Sequence, residues 1–177
     1  MTSQHQTDSI NDSPRPLWAP WRIQYIRGPK DDDCFICAAA QEGDGDDKLV
    51  IARGEKNLII LNAFPYNSGH LLICPYRHVG DLAELDPEEL HEIMTLTIRV
   101  KALMTRIMAP DGFNFGFNLG HAAGAGLESH IHGHLVPRWT GDVNFMPVLA
   151  NTRVVPEALE ETAELLRKEW QKEEAKR

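Results

Sequence analysis

From His130 to Val136 the chain reads His130-Ile131-His132-Gly133-His134-Leu135-Val136, with an imidazole at every second position. A β-strand sends residues i, i+2 and i+4 to one face. The pattern predicts a strand carrying three imidazoles on one side, about 6.6 Å apart by the strand rise. Imidazole ligates metals, carries protons and attacks phosphorus near neutral pH. One buried histidine is ordinarily a satisfied core residue. Three in one register call for a chemical explanation.

The rest of the chain sets the frame. A length of 177 residues suits one domain with a substantial core. A net charge of −8 argues against sequence-independent binding to nucleic acid. It leaves room for a small anionic ligand in a pocket rich in N–H donors. Apolar runs fall short of the ~20 residues of a membrane helix, and Met1–Ser13 lacks the basic-then-apolar order of a secretory signal. A cytoplasmic location is the expectation, with no membrane or nucleic-acid partner. Three cysteines do not make a disulfide framework.

Residues 1–14 read as a disordered polar tail, and residues 15–177 as a single domain. The domain opens on an aromatic arm, Arg15 to Arg27, read as packing on the domain or on a partner subunit. Strands are expected at Leu49–Ala52 and Leu58–Asn62, turned at Gly54-Glu55, and at His70–Cys74, ended by Pro75. Asp86-Pro87-Glu88-Glu89 is a helix start. The helix should run to Met108, with Leu90, Ile93, Met94, Thr97, Val100, Met104 and Ile107 along its apolar side. From Phe113 to Gly120, apolar Phe113, Phe115, Phe117 and Leu119 alternate with Asn114, Gly116, Asn118 and Gly120. That strand has one polar face nearly bare of side chains. Pro156-Glu157 opens a last helix with Leu159, Thr162, Leu165, Leu166 and Trp170 on one side. The fold class is α+β: a mainly antiparallel sheet of about five strands, a long helix and a C-terminal helix.

Cys34-Phe35-Ile36-Cys37 admits three readings: a redox pair, two core thiols, or half of a metal site completed by histidines. Redox chemistry favours a helix start after a strand, and here an acidic loop precedes the pair.

The histidine run resembles the signature of the histidine triad (HIT) family: His, apolar, His, apolar, His, apolar, apolar. The small Gly133 departs from it mildly. Gly69-His70-Leu-Leu-Ile-Cys-Pro-Tyr-Arg-His78, and Asn114 to Gly120 with Ala123-Gly124, are similar to the family's other segments. Leu17–Arg22 and Pro137–Met146 resemble the bacterial branch described as diadenosine tetraphosphate hydrolases or phosphorylases. The likeness covers residues 17–147.

The resemblance implies a HIT-like fold and cleavage of diadenosine polyphosphates at the α-phosphate through a nucleotidyl-histidine. The alternatives are a phosphate-dependent phosphorylase, a nucleoside phosphoramidase, or a nucleotide sensor without significant turnover. It implies His132 as nucleophile, its far nitrogen held by a carbonyl expected from the preceding Gly-rich loop. His134 is implied at the phosphate oxygens, with Asn118 and the amides of Gly124, Ala125 and Gly126 nearby. Asn62 matches the ribose-contacting position. Cys34, Cys37, His78 and His130 match the zinc ligands of metal-bearing members, making Zn²⁺ structural, with no organic cofactor. His70 is expected behind the cluster, steering it. Before the triad this chain is one residue longer than the family's Ala-Gly-Gln-Thr-Val-x-His and lacks that glutamine. Ser129 or loop amides must replace it, with Trp139 and Asn144 shaping the same corner. Hexose-1-phosphate uridylyltransferases carry glutamine at the His134 position, so His134 points away from them. A homodimer is expected, through the Leu90–Ile107 stripe and the aromatic arm.

Overall fold

The computed structural model describes residues 34–41, 48–142 and 158–176. The tail, the aromatic arm, Asn144 and Pro156-Glu157 lie outside the described residues. The order is α1 (Phe35–Gln41), β1 (Val50–Arg53), β2 (Asn57–Leu61), β3 (Leu71–Pro75), α2 (Pro87–Met108), β4 (Gly112–Phe117), β5 (Gly133–Arg138) and α3 (Leu159–Glu174). The five strands form one sheet in the order β1-β2-β3-β5-β4, every pairing antiparallel. The α+β expectation holds.

Both faces of the central strands are covered. Ile59, Leu61, Leu71, Ile73 and Leu135 pack under α2 and α3, against Ile93, Leu96, Val100, Leu103, Met104, Leu166 and Trp170. Their neighbours Leu58, Ile60, Leu72 and Cys74 face the other way and pack on Ile36 and Ala39 of α1. This explains why β2 and β3 read as unbroken apolar runs rather than alternating ones.

Helix α2 starts as its sequence predicts. Glu89 accepts the Asp86 backbone N–H at 2.8 Å, and Pro87 occupies the first turn. Arg77 Nε donates to the same Glu89 carboxylate at 2.7 Å. That hydrogen bond chiefly holds Glu89 below the usual carboxylate range, against the opposing effect of burial. The helix ends at Ala109 in the left-handed region, φ 46° and ψ 51°, before Pro110. Its buried face differs from the expected one: Leu96 and Leu103 are in the core, whereas Leu90 and Met94 are exposed, beside an exposed Ile98. Spacing alone does not choose between adjacent stripes when both are apolar. The same holds on α3, where Ala163 is buried and Leu165 is exposed.

Glu92 joins α2 to the β1–β2 turn. Its carboxylate accepts the backbone N–H groups of Glu55 at 2.7 Å and Lys56 at 2.8 Å, and the Asn57 amide at 2.8 Å. Burial works to raise its pKa, but these hydrogen bonds prevail and lower it. A side chain at Gly54 would collide with this carboxylate, its Cβ lying 2.6 Å from Oε1.

The histidine run only partly obeys the strand reading. β5 begins at Gly133, so His130 and His132 precede the ladder. Continuing the β3–β5 register would set Pro75 opposite Ile131, and proline has no N–H to give. The Ile131 N–H bonds the Val79 carbonyl at 2.7 Å instead. The alternation of side chains survives: Ile131 and Leu135 join the helical core, while the three imidazoles face the other side. Gly133 occupies the triad's fourth position because Phe115 and Phe117 fill the space above it, 3.3 Å from where a Cβ would sit.

Candidate active site

Two groups of side chains meet on the sheet face opposite α2 and α3. The first contains Cys34, Cys37, His78 and His130, whose ligand atoms all lie within 4.8 Å of one another. Cys34 sits at the start of α1 and Cys37 in its first turn, so both thiols project from one helix end. His130 Nδ1 is 3.2 Å from Cys34 Sγ and 3.5 Å from Cys37 Sγ; His78 Nδ1 is 3.2 Å from Cys37 Sγ. A tetrahedral zinc with its usual bond lengths puts N and S ligands about 3.5 Å apart. Two thiols and two imidazoles therefore match that ion in spacing and softness. The far nitrogen of His130 faces the Pro75 carbonyl at 2.9 Å, the kind of hydrogen bond that orients a metal-ligating imidazole. Burial pushes His130 down to about 4, outweighing that carbonyl, and the neighbouring His78 and His132 add to the effect. Its ring is neutral, as a ligand must be. Without a cation, burial and the Cys34 thiol push Cys37 up to about 11; coordination deprotonates such a thiol.

The second group is built around His132. Its Nδ1 meets the His130 main-chain carbonyl at 2.8 Å. The carbonyl was expected from the Gly-rich loop. It comes instead from two residues upstream, because the extended backbone brings that oxygen under the ring. Burial is the main cause lowering the His132 pKa, against the carbonyl's opposing effect. A neutral ring with its proton on Nδ1 leaves the Nε2 lone pair available.

His134 pairs across the sheet with Leu72 and Gly116, beside His132, the two ring centroids 4.9 Å apart. Its Nδ1 lies 3.0 Å from His70 Nε2, and its Nε2 lies 3.2 Å from the Asn118 amide. His70 therefore steers His134 and not the cysteine cluster, where it was expected. The loop before His70 is tied down by Asn67, whose amide donates to the Pro137 carbonyl at 3.2 Å and to Asp142 at 2.8 Å. Arg138 holds Asp142 by two hydrogen bonds, which chiefly keep its carboxyl down to about 2. Gly69 needs to be glycine here, with φ +74° and the Met108 methyl 2.9 Å from where a Cβ would sit.

The remaining expected residues are placed variously. The Asn62 oxygen accepts from Phe64 N–H at 2.9 Å, and its nitrogen faces His70 Nδ1 at 3.2 Å, so its amide serves this loop. The Gly124 and Ala125 N–H groups turn back to the carbonyls of His121 and Gly120, at 2.9 and 3.4 Å. Gly126 lies past that turn, and Ser129 is exposed. The Trp139 indole donates to the Met108 carbonyl at the end of α2, at 3.3 Å, away from the corner it was expected to shape.

Tyr66 was missed by the sequence reading. Its backbone N–H reaches His70 Nδ1 at 3.0 Å, and its ring lies 4.6 Å from the His70 ring and 5.8 Å from the His134 ring. Nothing in a Pro-Tyr-Asn-Ser-Gly loop signals this.

The HIT domain profile matches residues 45–141. A Mycobacterium tuberculosis protein named AP-4-A phosphorylase is 38% identical over 167 residues, spanning 90% of this chain and 86% of the relative. A Schizosaccharomyces pombe bis(5'-nucleosyl)-tetraphosphatase (asymmetrical) is 30% identical over 93 residues, 52% of this chain and 50% of that protein. Among solved structures, a zinc-bound histidine triad family protein from Mycobacterium smegmatis superposes with a TM-score of 0.65 at 29% identity. That match covers 82% of this chain and 98% of the other. With the triad, the Gly-His segment and the antiparallel sheet in place, the chain belongs to the HIT domain family.

Proposed function

We propose that this protein is a nucleotidyl-transferring enzyme that cleaves diadenosine tetraphosphate at an α-phosphate. The observation that carries the reading is the His132 ring, neutral by burial and with Nδ1 fixed on the His130 carbonyl. Nε2 attacks the α-phosphorus and the bond to the bridging oxygen breaks. ATP leaves and an adenylyl group stays on the ring. Splitting the displacement into two steps is the gain of covalent catalysis. Asn118, held by His134, supplies a donor to the phosphate oxygens as charge shifts onto them. In the second step an acceptor oxygen attacks the phosphorus and releases His132.

Inorganic phosphate is the acceptor we favour, giving ADP, because the relative matched along most of its length is named a phosphorylase. Water, giving AMP, is the alternative. Incubation with diadenosine tetraphosphate, with and without phosphate, distinguishes the two. The reading expects ADP plus ATP, dependent on phosphate. AMP plus ATP in both tubes would assign the acceptor to water, and no product in either would overturn the substrate.

Cys34, Cys37, His78 and His130 would hold a zinc ion. Four protein ligands close its coordination, so it would brace the fold and not touch substrate. We further read the chain as a homodimer through the exposed Leu90, Met94 and Ile98 stripe, which a monomeric mass by light scattering at micromolar concentration would refute. Among the described residues, no helix is long and apolar enough to cross a membrane.

A further inference from the structure

The hydrogen bonds around His70 have a fixed direction. The Tyr66 backbone N–H only donates, and it meets His70 Nδ1 at 3.0 Å. The Asn62 amide agrees: its oxygen is held by Phe64 N–H, which turns its NH₂ toward the same Nδ1. His70 Nδ1 is thus an acceptor, and the ring proton sits on Nε2. That proton points to His134 Nδ1, 3.0 Å away. His134 then carries its own proton on Nε2, facing Asn118. Amide oxygen and nitrogen are assigned from such networks, not from shape. The structure sets the Asn118 amide nitrogen 3.2 Å from His134 Nε2 and 3.4 Å from the Tyr66 hydroxyl; with a proton on His134 Nε2 the amide turns over, so that its oxygen accepts from that N–H and from the Tyr66 hydroxyl. The Asn118 NH₂ then turns away from both rings. Beside it, at Gly116, no atom lies within 4 Å of where a Cβ would sit, so this side of the sheet is open.

We propose that Tyr66 is a positioning residue: its main chain fixes the protons of His70 and His134 on Nε2, and its phenol holds the Asn118 amide with NH₂ toward the substrate's α-phosphate. This rests on the reading of Asn118 as a phosphate contact. The phenol acts through Asn118 and the ring through its packing on His70 and His134. It touches no reacting atom.

The test uses the full chain and a Tyr66→Phe variant, which keeps the ring and the main chain. Imidazole ¹⁵N spectra of the wild type are expected to show His70 and His134 protonated on Nε2. On addition of AMP, the Asn118 side-chain NH₂ resonances shift in the wild type and lose most of that response in Tyr66→Phe. On diadenosine tetraphosphate, kcat of the variant falls about fivefold, the size of one ordinary hydrogen bond, with KM and melting temperature little changed. A His134 proton found on Nδ1 would overturn the proposal, as would a variant with unchanged kcat and unchanged Asn118 response. If the wild type turns nothing over but the ¹⁵N pattern and the AMP response are as expected, the proposed substrate fails and Tyr66 keeps this role.

Discussion

Replacing His132 with alanine will lower turnover of diadenosine tetraphosphate by at least about 10⁴-fold, the scale seen when a covalent nucleophile is deleted. The loss has one source. Without Nε2 there is no group to accept the adenylyl, and the ring's neighbours cannot replace it. His130 is turned into the cysteine cluster, and His134 has both nitrogens engaged by His70 and Asn118. Binding should survive, because the phosphate donors remain. The variant should therefore retain AMP affinity within a few-fold and melt close to the wild type, with His132→Asn as a volume-preserving control. Turnover near that of the wild type in a folded His132→Ala protein would remove the nucleophile assignment.

The second large effect is on stability. Stripping metal from the Cys34–Cys37–His78–His130 cluster, or replacing Cys34 with serine, should lower the melting temperature by about 10 °C or more, since several kcal/mol are at stake and each moves a domain of this size by about 2–4 °C. Helix α1 is held to the sheet by the apolar contacts of Ile36 and Ala39, by the Arg53 bond to the Ala39 carbonyl at 2.7 Å, and by this cluster. Losing the cluster leaves a seven-residue helix with little else to anchor it. The effect on kcat below the melting range should be smaller, because the reacting groups lie on the other side of His130. Elemental analysis of protein purified without chelator should find about one zinc per chain, as a closed four-ligand site holds one ion. Zinc-free protein with a melting temperature indifferent to chelator would refute the site.

Period and punctuation made much of this architecture legible. Asp86-Pro87 marked the start of α2, and the alternation from Phe113 marked β4, although the strand ends at Phe117 and not at Gly120. The triad pattern pointed to three imidazoles on one side of the chain, and the spacing from Cys34 to His130 is bridged in space as the resemblance implied. What stayed hidden was contact between distant segments. Pro75, which has no N–H to offer Ile131, ends the ladder before the triad is complete, and its carbonyl turns to the His130 ring instead; no local pattern announces that pairing. Leu90 and Leu96 are equally apolar in sequence, yet only Leu96 meets the sheet. Trp139 reads as a neighbour of the site by number, but just past the end of β5 its indole bonds the Met108 carbonyl at the end of α2. Tyr66 was hidden for a different reason: its main chain acts on His70, and a main-chain donor leaves no mark in the residue type.

The central claim is a covalent bond from His132 to an adenylyl group. Rapid acid- or denaturant-quench of enzyme mixed with excess diadenosine tetraphosphate in phosphate-free buffer, followed by intact mass and peptide mapping, tests it directly. The account predicts a mass increase of one adenylyl group, located on His132, appearing with ATP and discharged as ADP on adding phosphate. An adenylyl group on another residue, or product formed with no adduct at any quench time, would contradict it.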